Sequence, residues 1–173
     1  MFSPERAVGA CWNYSDPGYI VTVALIHAVS GARYCEHLRE HVFTPSGMPN
    51  IRIIFGLAII PHRASGHLVD SSGYRHQDWV SPKLNTTGDG SKLLSLRDLN
   101  SWKAVERRRG LLSSAIWQSM QSPSILCSRN KSPCGQGAFL NSLRGQQVSQ
   151  HGGTWQEFRT HMTRYAHGAS SPC

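Results

Sequence analysis

Apolar residues along the chain fall into a few short runs separated by long polar stretches. Residues 1–18 mix Ser, Pro, Gly and Trp without a period and read as loop. Tyr19 to Val29 is then almost uninterrupted, with Ile20, Val21, Val23, Leu25 and Ile26. Such a run is too short to span a bilayer and suits a buried strand, a core helix or the core of a signal peptide. Cys35, Leu38 and Val42 recur at spacings of three and four, which predicts a helix over 32–43 that ends before Pro45 and Pro49. The most apolar stretch follows at 51–60. Its isoleucines and its stop at Pro61 predict a strand, bent near Gly56.

From His62 to Ser91 there is only turn chemistry, such as Ser72-Gly73 and Asp89-Gly90. Helical signals then return. Ser95 and Asp98 have the spacing of a capping box ahead of Leu99, Trp102 and Val105, and Leu112, Ala115, Ile116 and Met120 predict a second helix closed by Pro123. Residues 121–153 are polar and Gly-rich and read as linker or disordered chain. Thr154 and Glu157 again suggest a capping box, with Trp155, Phe158, Met162 and Tyr165 on one helical face, so a C-terminal helix is expected over 154–168. The predicted fold is an irregular α+β arrangement. It has an apolar N-terminal half with a strand near 51–60, two or three helices after residue 93, and long, poorly ordered loops. Residues 19–120 are expected to form one weakly packed domain.

Composition weakens the case for a tuned core. Leu, Ile, Val and Phe together supply only 37 of 173 positions, whereas Ser, Leu and Arg, the residues with the most codons, supply 22, 14 and 14. Arg outnumbers Lys 14 to 4. That profile is what an open reading frame without a selected molecular function would give. It leads to the expectation that the protein is not an enzyme and needs no cofactor.

Charge sharpens that expectation. The formal net charge is +8, and residues 101–173 carry nine basic and two acidic groups. Arg107, Arg108, Arg109, Arg159 and Arg164 lie there among Trp102, Trp117, Trp155, Phe158 and Tyr165, the composition of a surface for RNA or single-stranded DNA. Weak, nonspecific binding of such polyanions through the C-terminal part is the leading reading, with a location in cytoplasm or nucleus.

Two alternatives rest on particular residues. Ala28-Val29-Ser30 would serve as a cleavage site after the apolar run, giving a small secreted protein processed near Ser30. Two disulfides among Cys35, Cys127, Cys134 and Cys173 would then hold it, and Asn85-Thr86-Thr87 would become a glycosylation acceptor. The second alternative uses His37-Leu38-Arg39-Glu40-His41. These five residues resemble the H-x-x-E-H motif of the inverzincin metallopeptidases. The resemblance implies a zinc-dependent hydrolase with His37 and His41 as ligands, Glu40 as general base and a downstream acidic ligand, for which Glu106 is the candidate.

Overall fold

The structure is a computed structural model, and it describes residues 6–53, 59–76, 88–90 and 92–165. It divides into two compact units. One comprises residues 1–14, 112–152 and 160–173, the other residues 15–111 and 153–159.

The apolar run near the N-terminus is helix α1, Asp16–Ser30. Its flanks decide this over a strand. The Ser15 side chain accepts from the Gly18 N–H at 3.1 Å, Pro17 sits in the first turn, and Gly31 closes the helix in the left-handed region with its N–H on the His27 carbonyl at 2.9 Å. No residue of α1 is buried. Helix α2, Tyr34–Leu38, runs directly into a π-helical turn, Arg39–Phe43, closed by the Thr44 N–H on the Arg39 carbonyl. Phe43, Met48 and Ile51 then form a buried cluster, with Leu38, Val42, Ile53 and Trp102 packed against it.

Of the strand expected over 51–60, Arg52–Ile53 forms strand β1, Ile51, Ile59 and Ile60 are not in a strand, and residues 54–58 lie outside the described residues. Strand β1 pairs antiparallel with β4, Lys92–Leu93. Between them β2, His67–Asp70, and β3, Gly73–His76, form a hairpin. Helix α3, Leu96–Arg108, begins at the capping box expected from Ser95 and Asp98, with both reciprocal bonds formed. Asp98 is fully buried, and its carboxylate also accepts the Asn50 N–H at 3.2 Å. One side chain thus starts a helix and ties it to the segment leading into β1.

Helix α4, Ser114–Met120, is the core of the other unit, where Trp117 is 2 % exposed. The chain beyond it is more regular than the expected linker. A three-stranded sheet of β5, Phe139–Leu143, β6, Gln146–Trp155, and β7, Phe158–Tyr165, has the order β5-β6-β7. Gly135 turns the chain ahead of β5, where a Cβ would lie 2.4 Å from the Met120 carbonyl oxygen.

The C-terminal helix expected over 154–168 does not form. Thr154 and Trp155 end β6, and Gln156 and Glu157 take φ of 46° and 65°, the backbone of a two-residue hairpin turn. The same residues fit either period. Gly152-Gly153 on one side and Thr160 and Thr163 on the other favour extended chain, and pairing along the sheet outweighs the local helical pattern. Residues 166–168 of that expected helix lie outside the described residues.

Candidate active site

In the unit that contains the three-stranded sheet, an aromatic row leads to a pair of proton-carrying side chains. The Trp12 ring meets Phe139 edge-on, with centroids 5.7 Å apart, and Phe139 stacks on His151 at 6.1 Å. The His151 ring also lies 6.3 Å from that of Tyr14, centroid to centroid, tilted by 33°. Phe139 opens β5 and is in register with Gln150, the residue before His151 in β6. Trp12, Phe139 and His151 are half-buried, whereas Tyr14 is 49 % exposed. His151 is followed by two exposed glycines, Gly152 and Gly153, which leave the strand open beside the imidazole.

A phenol and an imidazole held close together can both donate and accept protons. In the sequence Tyr14 runs straight into Ser15 and Asp16, whose positions at the start of α1 are fixed by the helix cap.

The residues singled out from sequence are placed differently. Arg107 and Arg108 lie in the last turn of α3 and Arg109 is its C-cap, all three exposed, a placement that suits the helix dipole. Arg159 and Arg164 both lie on β7, but Arg159 is exposed whereas Arg164 is half-buried and lines an open groove of roughly 370 Å³ with Lys131, Gln147 and Ser149. Arg159 and Arg164 therefore share no helical stripe, because residues 158–165 form a strand rather than part of the expected helix.

His37 and His41 do come together, with ring centroids 4.5 Å apart. Glu40 and His41, however, sit in the π-helical turn rather than on the α-helix that an H-x-x-E-H site requires. Glu106 belongs to α3, and among the described residues no group of three or more His, Cys, Asp or Glu can hold a metal. The metallohydrolase reading fails on that geometry. The disulfide reading meets free thiols at Cys11, Cys35, Cys127 and Cys134, and Cys173 lies outside the described residues. Cys134 is buried, which pushes its thiol up. Among the described residues no helix is long and apolar enough to cross a membrane.

A model of the beta-lactamase family matches residues 3–166, nearly the whole chain. The chain belongs to the beta-lactamase family. Penicillin-binding protein 4* of Bacillus subtilis is 27% identical over 169 residues, covering 89% of this chain and 37% of that protein. A D-aminopeptidase of Brucella anthropi is 22% identical over 152 residues, covering 87% and 28%. In fold, the chain resembles the crystal structure of a penicillin binding protein from Bacillus halodurans, with a TM-score of 0.75, 19% identity, and 89% and 48% of the two chains covered. The chain thus spans about a third of the length of the curated relatives it matches.

Family membership overturns the expectations of an unselected reading frame, of a protein that is not an enzyme, and of RNA or single-stranded DNA as its partner. Penicillin-binding proteins and class A β-lactamases are marked by S-x-x-K, S-D-N and K-T-G. In this family member Ser15-Asp16 carries the first two residues of S-D-N, and K-T-G does not occur. S-x-x-K occurs once, as Ser128-Arg129-Asn130-Lys131. That copy lies in an exposed reverse turn closed by the Leu126 N–H on the Asn130 carbonyl at 2.9 Å, where the Ser128 hydroxyl accepts the Asn130 N–H. Sequence reasoning missed Tyr14 and His151. The signal that could have found them is the aromatic residue before Ser-Asp at a helix start, together with a histidine before two glycines in a strand.

Proposed function

We propose that the protein is a serine-type hydrolase acting on amide bonds next to a D-amino acid or within a β-lactam ring, with Tyr14 and His151 as its proton-handling pair. The single observation that carries this reading is the 6.3 Å pairing of Tyr14 with His151 inside a chain of the beta-lactamase family. The names of the relatives, penicillin-binding protein and D-aminopeptidase, supply the substrate class.

The chemistry is acyl transfer through a serine ester. A serine oxygen attacks the carbonyl carbon, the carbon–nitrogen bond breaks, and the departing amine takes a proton. Water then attacks the ester and returns the serine. Each half-reaction moves one proton off an attacking hydroxyl and one onto a leaving group. The phenol and the imidazole suit that traffic because each can accept and return a proton without leaving the edge of β6. Phe139, itself met edge-on by Trp12, stacks on one face of the imidazole. Side chains alone supply these steps, so the reading invokes no metal or cofactor.

The test uses the purified protein with D-phenylalanine amide and with a fluorescent penicillin. Hydrolysis or covalent labelling is expected, and Tyr14→Phe and His151→Ala should each lower kcat/KM by about 10²–10⁴-fold. Ser128→Ala shows whether the exposed S-x-x-K turn contributes the nucleophile. Neither turnover nor labelling by the wild type, or equal rates in Tyr14→Phe, refutes the reading.

A further inference from the structure

The β2–β3 hairpin carries a second constellation that the hydrolase reading does not use. His67 and His76 are Cα partners in its ladder, at the end away from the turn, and their imidazole centroids lie 5.0 Å apart with planes inclined by 35°. Both residues are exposed. Alternation along the strands puts Val69 and Tyr74 on the same face as the histidines, and Asp70 and Arg75 on the other. The Asp70 carboxylate and the Arg75 guanidinium form an ion pair at 3.0 Å there, so the arginine's charge is answered across the sheet from the imidazoles.

Two imidazoles bound cis to one metal by nitrogen bonds of about 2.0–2.1 Å have ring centres roughly 4.5–5.2 Å apart for bond angles from ~90° to ~109°. The observed 5.0 Å falls inside that interval without any change of backbone. The register of the hairpin has already met much of the entropic cost of bringing the two rings together, because the ladder of β2 on β3 sets them opposite each other.

We propose that His67 and His76 form a chelating site for a late first-row divalent cation, with water completing its coordination. Copper(II) binds there more tightly than zinc(II), following the general order for nitrogen ligands. The bound ion bridges the two open strand ends and staples the hairpin, so binding and hairpin stability rise together. The site is independent of the acyl-transfer reading and needs no third protein ligand.

His37 and His41, 4.5 Å apart, present a competing pair, and the experiment therefore starts from His37→Ala/His41→Ala protein. Copper(II) and zinc(II) are titrated separately, with affinity from equilibrium titration, imidazole coordination from electron spin-echo spectroscopy of the copper form, and melting temperature with and without metal. The expected result is one copper ion with two imidazole ligands, a rise in melting temperature, and weaker binding of zinc. Adding His76→Ala or His67→Ala should cut copper affinity about tenfold or more and abolish the rise. Copper affinity unchanged by either substitution, or a spectrum with a single imidazole in the starting protein, overturns the proposal.

Discussion

Asp98 offers the most demanding test of the fold. Its carboxylate is fully buried and accepts three hydrogen bonds, from the Ser95 N–H at 2.8 Å, the Ser95 hydroxyl at 2.6 Å and the Asn50 N–H at 3.2 Å. Asp98→Ala removes half of the capping box and leaves two backbone donors without their acceptor. A cap is worth about 0.5–2 kcal/mol, and each lost bond to a charged acceptor about 1.5–3 kcal/mol, which water recovers in part at these half-exposed donors. The expected loss is therefore about 2–4 kcal/mol, a shift of roughly 1–2 M in the urea midpoint read by helical circular dichroism. Asp98→Asn keeps the shape but only one acceptor oxygen, and should fall between wild type and alanine.

Acidity supplies a second readout of the same side chain. Burial pushes the Asp98 carboxyl up, but the bonds from Ser95 and Asn50 and the charge of Arg52 outweigh it and hold the group below its ordinary value. A carboxyl depressed by folding contributes stability that is complete above its unfolded value of about 3.9 and is lost as pH falls through the lower folded value. The gap between wild type and Asp98→Asn should accordingly be widest at neutral pH and close in strong acid. An unchanged midpoint in Asp98→Ala at pH 7, or a gap that stays constant into acid, refutes the reasoning.

Further expectations follow from other sites. Trp117→Ala, at a side chain 2 % exposed, should cost about 3–5 kcal/mol in the unit built around α4, measured by the loss of a cooperative melt. Gly9→Ala places a Cβ 2.7 Å from the Cys127 Sγ at a φ of +79°, and should destabilise by more than about 1 kcal/mol. Replacing Glu157, at a φ of 65°, by Gly should instead stabilise the β6–β7 turn, because it relieves a left-handed backbone, and a lowered melting temperature would contradict the hairpin assignment. Replacing His67 or His76 should weaken copper binding, read by titration, and leave the rate of the proposed D-phenylalanine amide hydrolysis unchanged.

What was legible in the sequence was what neighbours in the chain decide among themselves. The Ser95–Asp98 box could be read because both partners lie within one turn of α3, and it forms as written. The Thr154–Glu157 spacing looks the same on paper, yet Gln156 and Glu157 adopt left-handed backbone and hand the segment to the sheet. Only β5 and the Gly-rich approach to it make that choice, and both lie in a stretch that reads as unstructured. The Tyr14–His151 pair was invisible for a related reason: its members come from opposite ends of the sequence, and the strand that carries His151 takes its place only through its register on β5. Arginine content, the most conspicuous feature of the composition, pointed toward nucleic acid because it was read without that register.

Helix α1 has a consequence that concerns the protein as a material. Val21, Leu25 and Val29 are 67, 60 and 81 % exposed, and no residue of the helix is buried. A helix so exposed is marginal in water by itself, so the caps at Ser15 and Gly31 and its contact with α2 carry much of its persistence. Its amides should exchange with heavy water well before those of α3, whose first turn is locked by Asp98. The same uncovered valines and leucine make an apolar surface, and a single charge at Val29 should raise the solubility of the protein without moving the melting temperature.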